Sequence, residues 1–217
     1  MYFPNIKVLI WDIDGTLYRS IPALSQDIFE ADYKVVMVHT GWTREKTIEE
    51  FHKIFKVITP SSTKTAAMLT GLPLVQVAIE CEQYKDRTKY LKRDEKLISM
   101  FGKLSGFTHY MLVNGIQEKT RDALKVLGLS PDIFTEIVTS EIVGENKPSE
   151  KGFRYILEKT KLPPDQHLMI GDREAVDLVP AKNLGMKTCL VWADPKAQFS
   201  STDIVLSTVY DVEKIVQ

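Results

Sequence analysis

Six short segments, each nearly continuous in apolar residues and most of them followed by a helical pattern, constrain this chain more than any other feature. They cover residues 6–11, 107–113, 133–138, 167–170, 187–191 and the shorter 204–206. Strands that alternate with helices pair in parallel, because a crossover is what returns the chain to the same end of the sheet. A strand that is apolar throughout, rather than at every second residue, is covered by helices on both faces. Helices are predicted over 120–127, closed by Gly128, over 149–159 with Ser149 as N-cap, and over 177–184, closed by Gly185. The fold class that follows is α/β, with a doubly wound parallel sheet.

Between residues 18 and 104 the strand signals thin out and helical patterns take over. Residues 44–58 place Ile48, Phe51, Phe55 and Ile58 on one stripe behind a Thr43 N-cap. A second helix over 62–69 stops before Gly71, Pro73 opens a third, and 94–101 leads back to the second strand. This predicts a helical domain, 18–104, inserted into a core made of 1–17 and 105–217. A chain of 217 residues is long enough for such a core and a small insert.

Charge is balanced at 28 basic against 29 acidic residues, which gives no electrostatic case for nucleic acid or an anionic membrane as partner. Any anion must therefore be bound locally. The run KDRTKYLKRDEK (85–96) holds six basic residues against three acidic ones; it reads as a solvated helix face, the alternative being a lure for an anionic substrate. No apolar run approaches the ~18 residues needed to span a bilayer. Cys81 and Cys189 show no C-x-x-C spacing, so a reducing cytoplasm is the expected setting.

Two of the predicted strands finish in carboxylates. The first runs into WDIDGTLY, which puts Asp12 at the carboxyl end of its strand, where ligands of open α/β sheets collect, with Asp14 two residues on. Carboxylates this close repel unless a cation or a shared proton neutralises them. The fourth strand runs into GDREAVDL, with Asp172 after Gly171 and Asp177 five residues further. Singly, each carboxylate fits a turn or a helix cap. Together they gather at one sheet edge the hard oxygen ligands that Mg²⁺ prefers. Between them VGENKPSEKG holds Lys147 at a turn before Pro148, a cation placed to offset the carboxylates and hold a phosphoryl oxygen. The second strand ends in MLVNG, where Asn114 and Gly115 offer main-chain N–H groups to an anion. His39, His52, His109 and His167 pair at no metal-ligand or catalytic spacing and read as structural.

WDIDGTLY, VNG, the Lys147 of ENKPSE and GDREAVD, in that order and each at a strand end, resemble the four motifs of the haloacid dehalogenase superfamily. The resemblance spans the chain. It implies a Rossmann-like core and a helical cap, as in phosphoglycolate phosphatase-like and pyrimidine nucleotidase-like members. It also implies a Mg²⁺-dependent phosphohydrolase of a small phosphorylated metabolite. Asp12 would attack phosphorus and become an aspartyl phosphate; Asp14 would protonate the leaving alcohol and then deprotonate the attacking water. Asp12, Asp172 and the backbone carbonyl oxygen of Asp14 would hold Mg²⁺, with Asp177 supporting the metal or Lys147. Lys147, Asn114 and Gly115 would bind the phosphate. Asp14 itself favours phosphate esters, since dehalogenase and phosphonatase members lack an acid at that position.

One residue departs from the pattern. The superfamily usually has Ser or Thr before the Asn-Gly of its second motif, and here Val113 stands in that place. Losing one oxyanion donor costs ~10² to 10³ in rate, unless the Asn114 side chain substitutes. Two alternatives to a phosphatase follow: a phospho-ligand-binding or regulatory protein that keeps the site without turnover, and a phosphomutase. The sequence is silent on oligomeric state.

Overall fold

The computed structural model describes residues 3–57 and 61–216. Strand β1 (Val8–Trp11) is followed by helices α1 (Pro22–Thr40), α2 (Arg44–Phe55), α3 (Ser62–Thr70), α4 (Leu74–Glu82) and α5 (Glu95–Lys103). Then come β2 (Thr108–Leu112), α6 (Gln117–Leu127), β3 (Glu136–Val138), α7 (Ser140–Val143), α8 (Lys151–Thr160) and β4 (His167–Gly171). α9 (Val179–Asn183), β5 (Lys187–Val191), β6 (Ile204–Leu206) and a 3-10 turn over Val209–Lys214 follow. The sheet has the order β3-β2-β1-β4-β5-β6 and every pairing is parallel, as the alternating pattern predicts.

The two-residue period of a strand explains the unbroken apolar runs. Leu9 and Trp11 face one side of β1, packed with Met111, Leu168, Leu97, Phe101 and Leu124. Val8 and Ile10 face the other, packed with Leu112, Met169, Phe153 and Ile156. Each face carries its own helices, so every residue of β1 is buried. On the second face α8 approaches so closely that a Cβ on Gly152 would lie 2.4 Å from Leu112 Cδ1.

Three local predictions need correction. The strand expected from residue 133 begins at Glu136, because Ser130 caps a 3-10 turn over Pro131–Ile133. Ser149 is not the N-cap of α8: Glu150 holds that position, and Ser149 Oγ accepts the Lys151 N–H at 3.4 Å from within the preceding turn. The helix expected over 177–184 is broken into a π turn at Glu174–Leu178 and then α9. Pro180 has no N–H for a regular helical ladder, and the extra residue of the π turn accommodates it.

Helices α1 to α4 build a hydrophobic cluster of their own, in which Val35 and Val36 meet Phe51, Ala66, Val77 and Cys81. Ile48 and Phe55 pack at its edge, while Ile58, the last residue of the predicted stripe, lies outside the described residues. Helix α5 behaves differently. Its Leu97, Met100 and Phe101, with Leu104 after it, join the cluster under the sheet, so by packing this part of 18–104 belongs with the core. Among the described residues no helix is long and apolar enough to cross a membrane.

All four histidines sit in structural contacts. His109 accepts the Trp11 Nε1–H at 3.1 Å on Nδ1 and donates from Nε2 to the Leu104 carbonyl at 3.0 Å. His167 contacts the Pro163 carbonyl and Thr160 Oγ1, His52 contacts Tyr33, and His39 contacts Glu80. Burial lowers the pKa of His109 and His167 below the usual 6.5. The unfolded chain then takes up protons before the folded one does. The stability these two rings contribute is present above pH 6.5 and is lost as pH falls through their folded pKa values. In NMR titrations both imidazoles are expected to remain mostly neutral at pH 6.5; half-protonation there in the folded protein would contradict the burial argument.

Candidate active site

The carboxyl ends of β1, β2 and β4 meet beside the point where the strand order reverses, which is where open parallel sheets bind ligands. Asp12 leaves β1 with its N–H still bonded to the Ile170 carbonyl at 3.1 Å, so the sheet ladder fixes its backbone. Its Oδ1 accepts from Lys147 Nζ at 2.7 Å and its Oδ2 from Thr16 Oγ1 at 2.9 Å. Lys147 donates a second 2.7 Å bond to Asp177 Oδ1, and its side chain is 1% exposed. The other oxygen of Asp177 accepts the Arg173 N–H at 3.1 Å.

Bare Cα atoms let these groups crowd. A Cβ on Gly171 would sit 2.5 Å from Asp177 Cβ. At Gly15, whose φ is +85°, a Cβ would sit 2.3 Å from Asp172 Oδ2. Gly15 thus serves twice, in turning the chain and in making room for the carboxylate.

Electrostatics follow from a buried ammonium beside three carboxylates, with the Arg173 guanidinium on their flank. Burial opposes ionisation of Asp12, but the charges of Lys147 and Arg173 outweigh it and hold the carboxyl below its ordinary range. Burial likewise opposes the Lys147 ammonium, and Asp12 with Asp177 keeps it charged above its ordinary pKa. The remaining deficit falls elsewhere. Burial raises Asp177, and it pushes Asp172 up to about 7 with help from the Asp12 and Asp177 charges.

A divalent cation fits this site. Asp12, Asp172 and Asp177 each offer a carboxylate oxygen within 4.8 Å of the others. Asp172 Oδ1 is buried with no hydrogen-bond partner among the described residues, and an ion bound there would satisfy it. Both oxygens of Asp177 already accept from Lys147 and Arg173, so its geometry suits holding the lysine better than ligating the ion.

Asp14 points away from this cluster. Its Oδ1 accepts from the Tyr18 hydroxyl, and its Oδ2 lies 3.3 Å from Arg87 Nη1. The Asn114 side chain is engaged elsewhere. Its Nδ2 donates to the Lys147 carbonyl at 3.0 Å and its Oδ1 accepts the Lys147 N–H at 2.7 Å. The carboxamide braces the lysine loop and does not replace the missing hydroxyl. The Gly115 carbonyl accepts from Ser140 Oγ at 3.2 Å.

A cavity of about 200 Å³ opens above these residues, lined by Asp12, Asp14, Asp172 and Val113 from the core and by Ser62 and Arg87 from the helical insert. The basic run 85–96 is not the solvated helix face the sequence suggests. Lys85 and Arg87, with side chains 7% and 5% exposed, turn inward onto Glu82, while Lys89, Lys92, Arg93 and Lys96 stay outside. Nothing in the run's spacing separates the two groups. The signal available was Glu82, an acid within the last turn of an apolar helix that needs a cation close in sequence.

A sheet of this topology, with carboxylates and a buried lysine at its reversal point, defines a class, and comparison places the chain in it. The family profile described as haloacid dehalogenase-like hydrolase matches residues 6–185. The chain belongs to the haloacid dehalogenase-like hydrolases. Phosphoglycolate phosphatase of Vibrio vulnificus is 24% identical over 200 residues, which cover 83% of this chain and 81% of that protein. Glyceraldehyde 3-phosphate phosphatase of Methanocaldococcus jannaschii is 35% identical over 86 residues, 40% of this chain, and the match spans only 37% of that protein. In fold, the chain resembles the HAD phosphatase from Thermococcus onnurineus with a TM-score of 0.68 at 23% identity, covering 97% of both chains.

Proposed function

We propose that this protein is a Mg²⁺-dependent phosphatase that hydrolyses a small phosphorylated metabolite through an aspartyl phosphate. The observation that carries the reading is Lys147 Nζ, buried and bonded at 2.7 Å to both Asp12 and Asp177, beneath a cavity that Asp12, Asp14 and Asp172 line. An anionic nucleophile must meet an anionic phosphate here, and a fixed ammonium offsets that repulsion. The modest cavity supports a small substrate. The phosphatase names of the Vibrio and Methanocaldococcus relatives support the reaction class.

In this mechanism an Asp12 oxygen attacks phosphorus and the bond from phosphorus to the ester oxygen breaks. Protonated Asp14 gives its proton to the departing alcohol. A water then attacks the aspartyl phosphate and passes its proton to Asp14, and inorganic phosphate leaves as the acyl oxygen returns to Asp12. Lys147 stays charged throughout, held by Asp177. Asp12, Asp172 and the backbone carbonyl oxygen of Asp14 would hold Mg²⁺, which supplies charge compensation to the phosphoryl group.

The same reading treats residues 1–17 and 105–217 as the catalytic core and the helices within 18–104 as a cap, with α5 assigned to the core by its packing. It takes the buried free thiols of Cys81 and Cys189 as support for a reducing, cytoplasmic setting. The test is a panel of phosphorylated metabolites and para-nitrophenyl phosphate, scored for Mg²⁺-dependent release of inorganic phosphate. Release from at least one ester is expected. Mg²⁺ binding without release from any ester would favour the silent phospho-ligand-binding alternative that Val113 motivates, and transfer to a second sugar hydroxyl in place of water would favour a phosphomutase.

Removing the Asp172 carboxylate, whose buried Oδ1 has no hydrogen-bond partner among the described residues, tests the metal assignment. Asp172→Ala is expected to weaken Mg²⁺ binding by more than about tenfold in calorimetric titration, since a ligand matters at least as much as its supporting groups. Unchanged affinity would place the ion elsewhere.

A further inference from the structure

The turn after β2 lacks the donor its position calls for. Val113 has no hydroxyl, and the Asn114 carboxamide is engaged at both ends by the Lys147 backbone. A different group approaches that turn. A Cβ on Gly115 would lie 3.8 Å from Arg87 Nη2, and Arg87 lines the same cavity as Asp12, Asp14 and Val113. Its guanidinium is held on two sides, with Nη2 donating to Glu82 Oε1 at 3.0 Å and Nη1 lying 3.3 Å from Asp14 Oδ2. Glu82 is itself buried and paired with Lys85 at 2.9 Å, so the anchor is fixed. Guanidinium presents five N–H donors in a rigid fork, and two anchors leave further donors for the planar oxygens of a phosphoryl group.

The location also matters. Asp14 handles the leaving oxygen in the mechanism above, and the 113–115 turn flanks the phosphoryl group, so a guanidinium between them reaches the charge that builds up during transfer. Arg173, the other arginine of the cavity, has a side chain 44% exposed and lies 3.9 Å from Asp172, on the flank of the metal carboxylates. It is poorly placed to serve the Val113 side.

We propose that Arg87, carried into the site by the helical insert, donates to a phosphoryl oxygen in place of the hydroxyl that Val113 lacks, and is a catalytic residue. The inference rests on the phosphatase reading. It means that the motif set read along the core strands is incomplete without one residue from outside them.

The test is a cycle of Val113→Thr, Arg87→Met, Arg87→Lys and the Arg87→Met/Val113→Thr pair, assayed with Mg²⁺ on para-nitrophenyl phosphate or the best ester of the panel. Circular dichroism and thermal melting verify folding. Val113→Thr alone is expected to change kcat less than about threefold, because the position's role is already filled. Arg87→Met is expected to lower kcat about 10² to 10³-fold, and the added threonine to return at least about tenfold of that. Arg87→Lys keeps the charge that Glu82 needs and remains testable if the methionine variant does not fold; it is expected to lose about tenfold in kcat. A gain above tenfold from Val113→Thr in the native background would overturn the proposal. So would equal gains in both backgrounds, or folded Arg87 variants within threefold of the native kcat. If the native protein releases no phosphate from any ester, the phosphatase reading fails on its own. Arg87 is then tested by calorimetric binding of inorganic phosphate, where Arg87→Lys is expected to bind at least tenfold more weakly and unchanged binding would overturn its role as a phosphoryl donor.

Discussion

Asp12→Asn is expected to lower phosphate release by about 10⁴-fold or more while the protein folds and melts as before. The asparagine oxygen still accepts from Lys147, and its amide nitrogen reaches Thr16 Oγ1, which accepts as readily as it donates. The hydrogen bonds around position 12 therefore survive and only the nucleophilic anion is lost. Lys147 loses one charged partner but keeps Asp177, and the like-charge repulsion on Asp172 falls at the same time, so the two changes offset and the variant's thermal midpoint should change little. Phosphate release above a few per cent of native, from a preparation that melts normally, would remove Asp12 from the role of nucleophile.

Lys147→Met is expected to damage stability as well as turnover. Native Lys147 neutralises two carboxylates that are almost wholly buried, and removing one partner of a buried ion pair costs about 3 to 5 kcal/mol. At this chain length that is a fall of about 10 °C in Tm. The pH dependence has a definite sign. Without the lysine, the folded pKa of Asp12 would rise above its unfolded one and that of Asp177, already raised by burial, would rise further, so the stability they contribute is present at low pH and lost as pH rises through the raised values. The native protein also gains between pH 7 and pH 5, through its raised Asp172 and Asp177, but its Asp12 is held low and adds nothing there, so the Met variant should gain more and recover part of its deficit. Thermal melts of both proteins across that range decide it. A Met variant that melts like the native protein at pH 7 would mean that the Lys147 pairs contribute nothing net.

How much of this was legible in the sequence depends on the range over which each feature is specified. The sheet was readable because burial on both faces imposes its own signature, an apolar run without alternation, on each strand separately. Asp12, Asp172 and Lys147 were readable because each follows directly from a strand or a rigid turn. Helix α1 was not singled out. It lies among α2, α3 and α4, and residues such as Val35 and Val36 leave no clean polar face for periodicity to detect. Arg87 was hidden for a different reason: its place is set by Glu82 on one side and by Asp14, more than 70 residues earlier, on the other. What the Asn114 side chain binds was not legible, because its partner is a backbone segment 33 residues away and backbone partners leave no mark in residue identity.

Strand β1 stands in the middle of the sheet yet is made first. Val8 pairs with Thr108 on one side and with His167 on the other, so the strand's two neighbours are synthesised 100 and 159 residues after it. On the ribosome its Val-Leu-Ile-Trp segment must wait, unpaired on both edges, while the locally connected helices α1 to α4 have everything they need to close their own cluster. Long-range parallel pairing forms slowly because loop closure precedes any gain from contact. The insert is thus able to act as the early-folding unit of the chain, and sheet assembly around β1 is the slow step and the stage most exposed to aggregation.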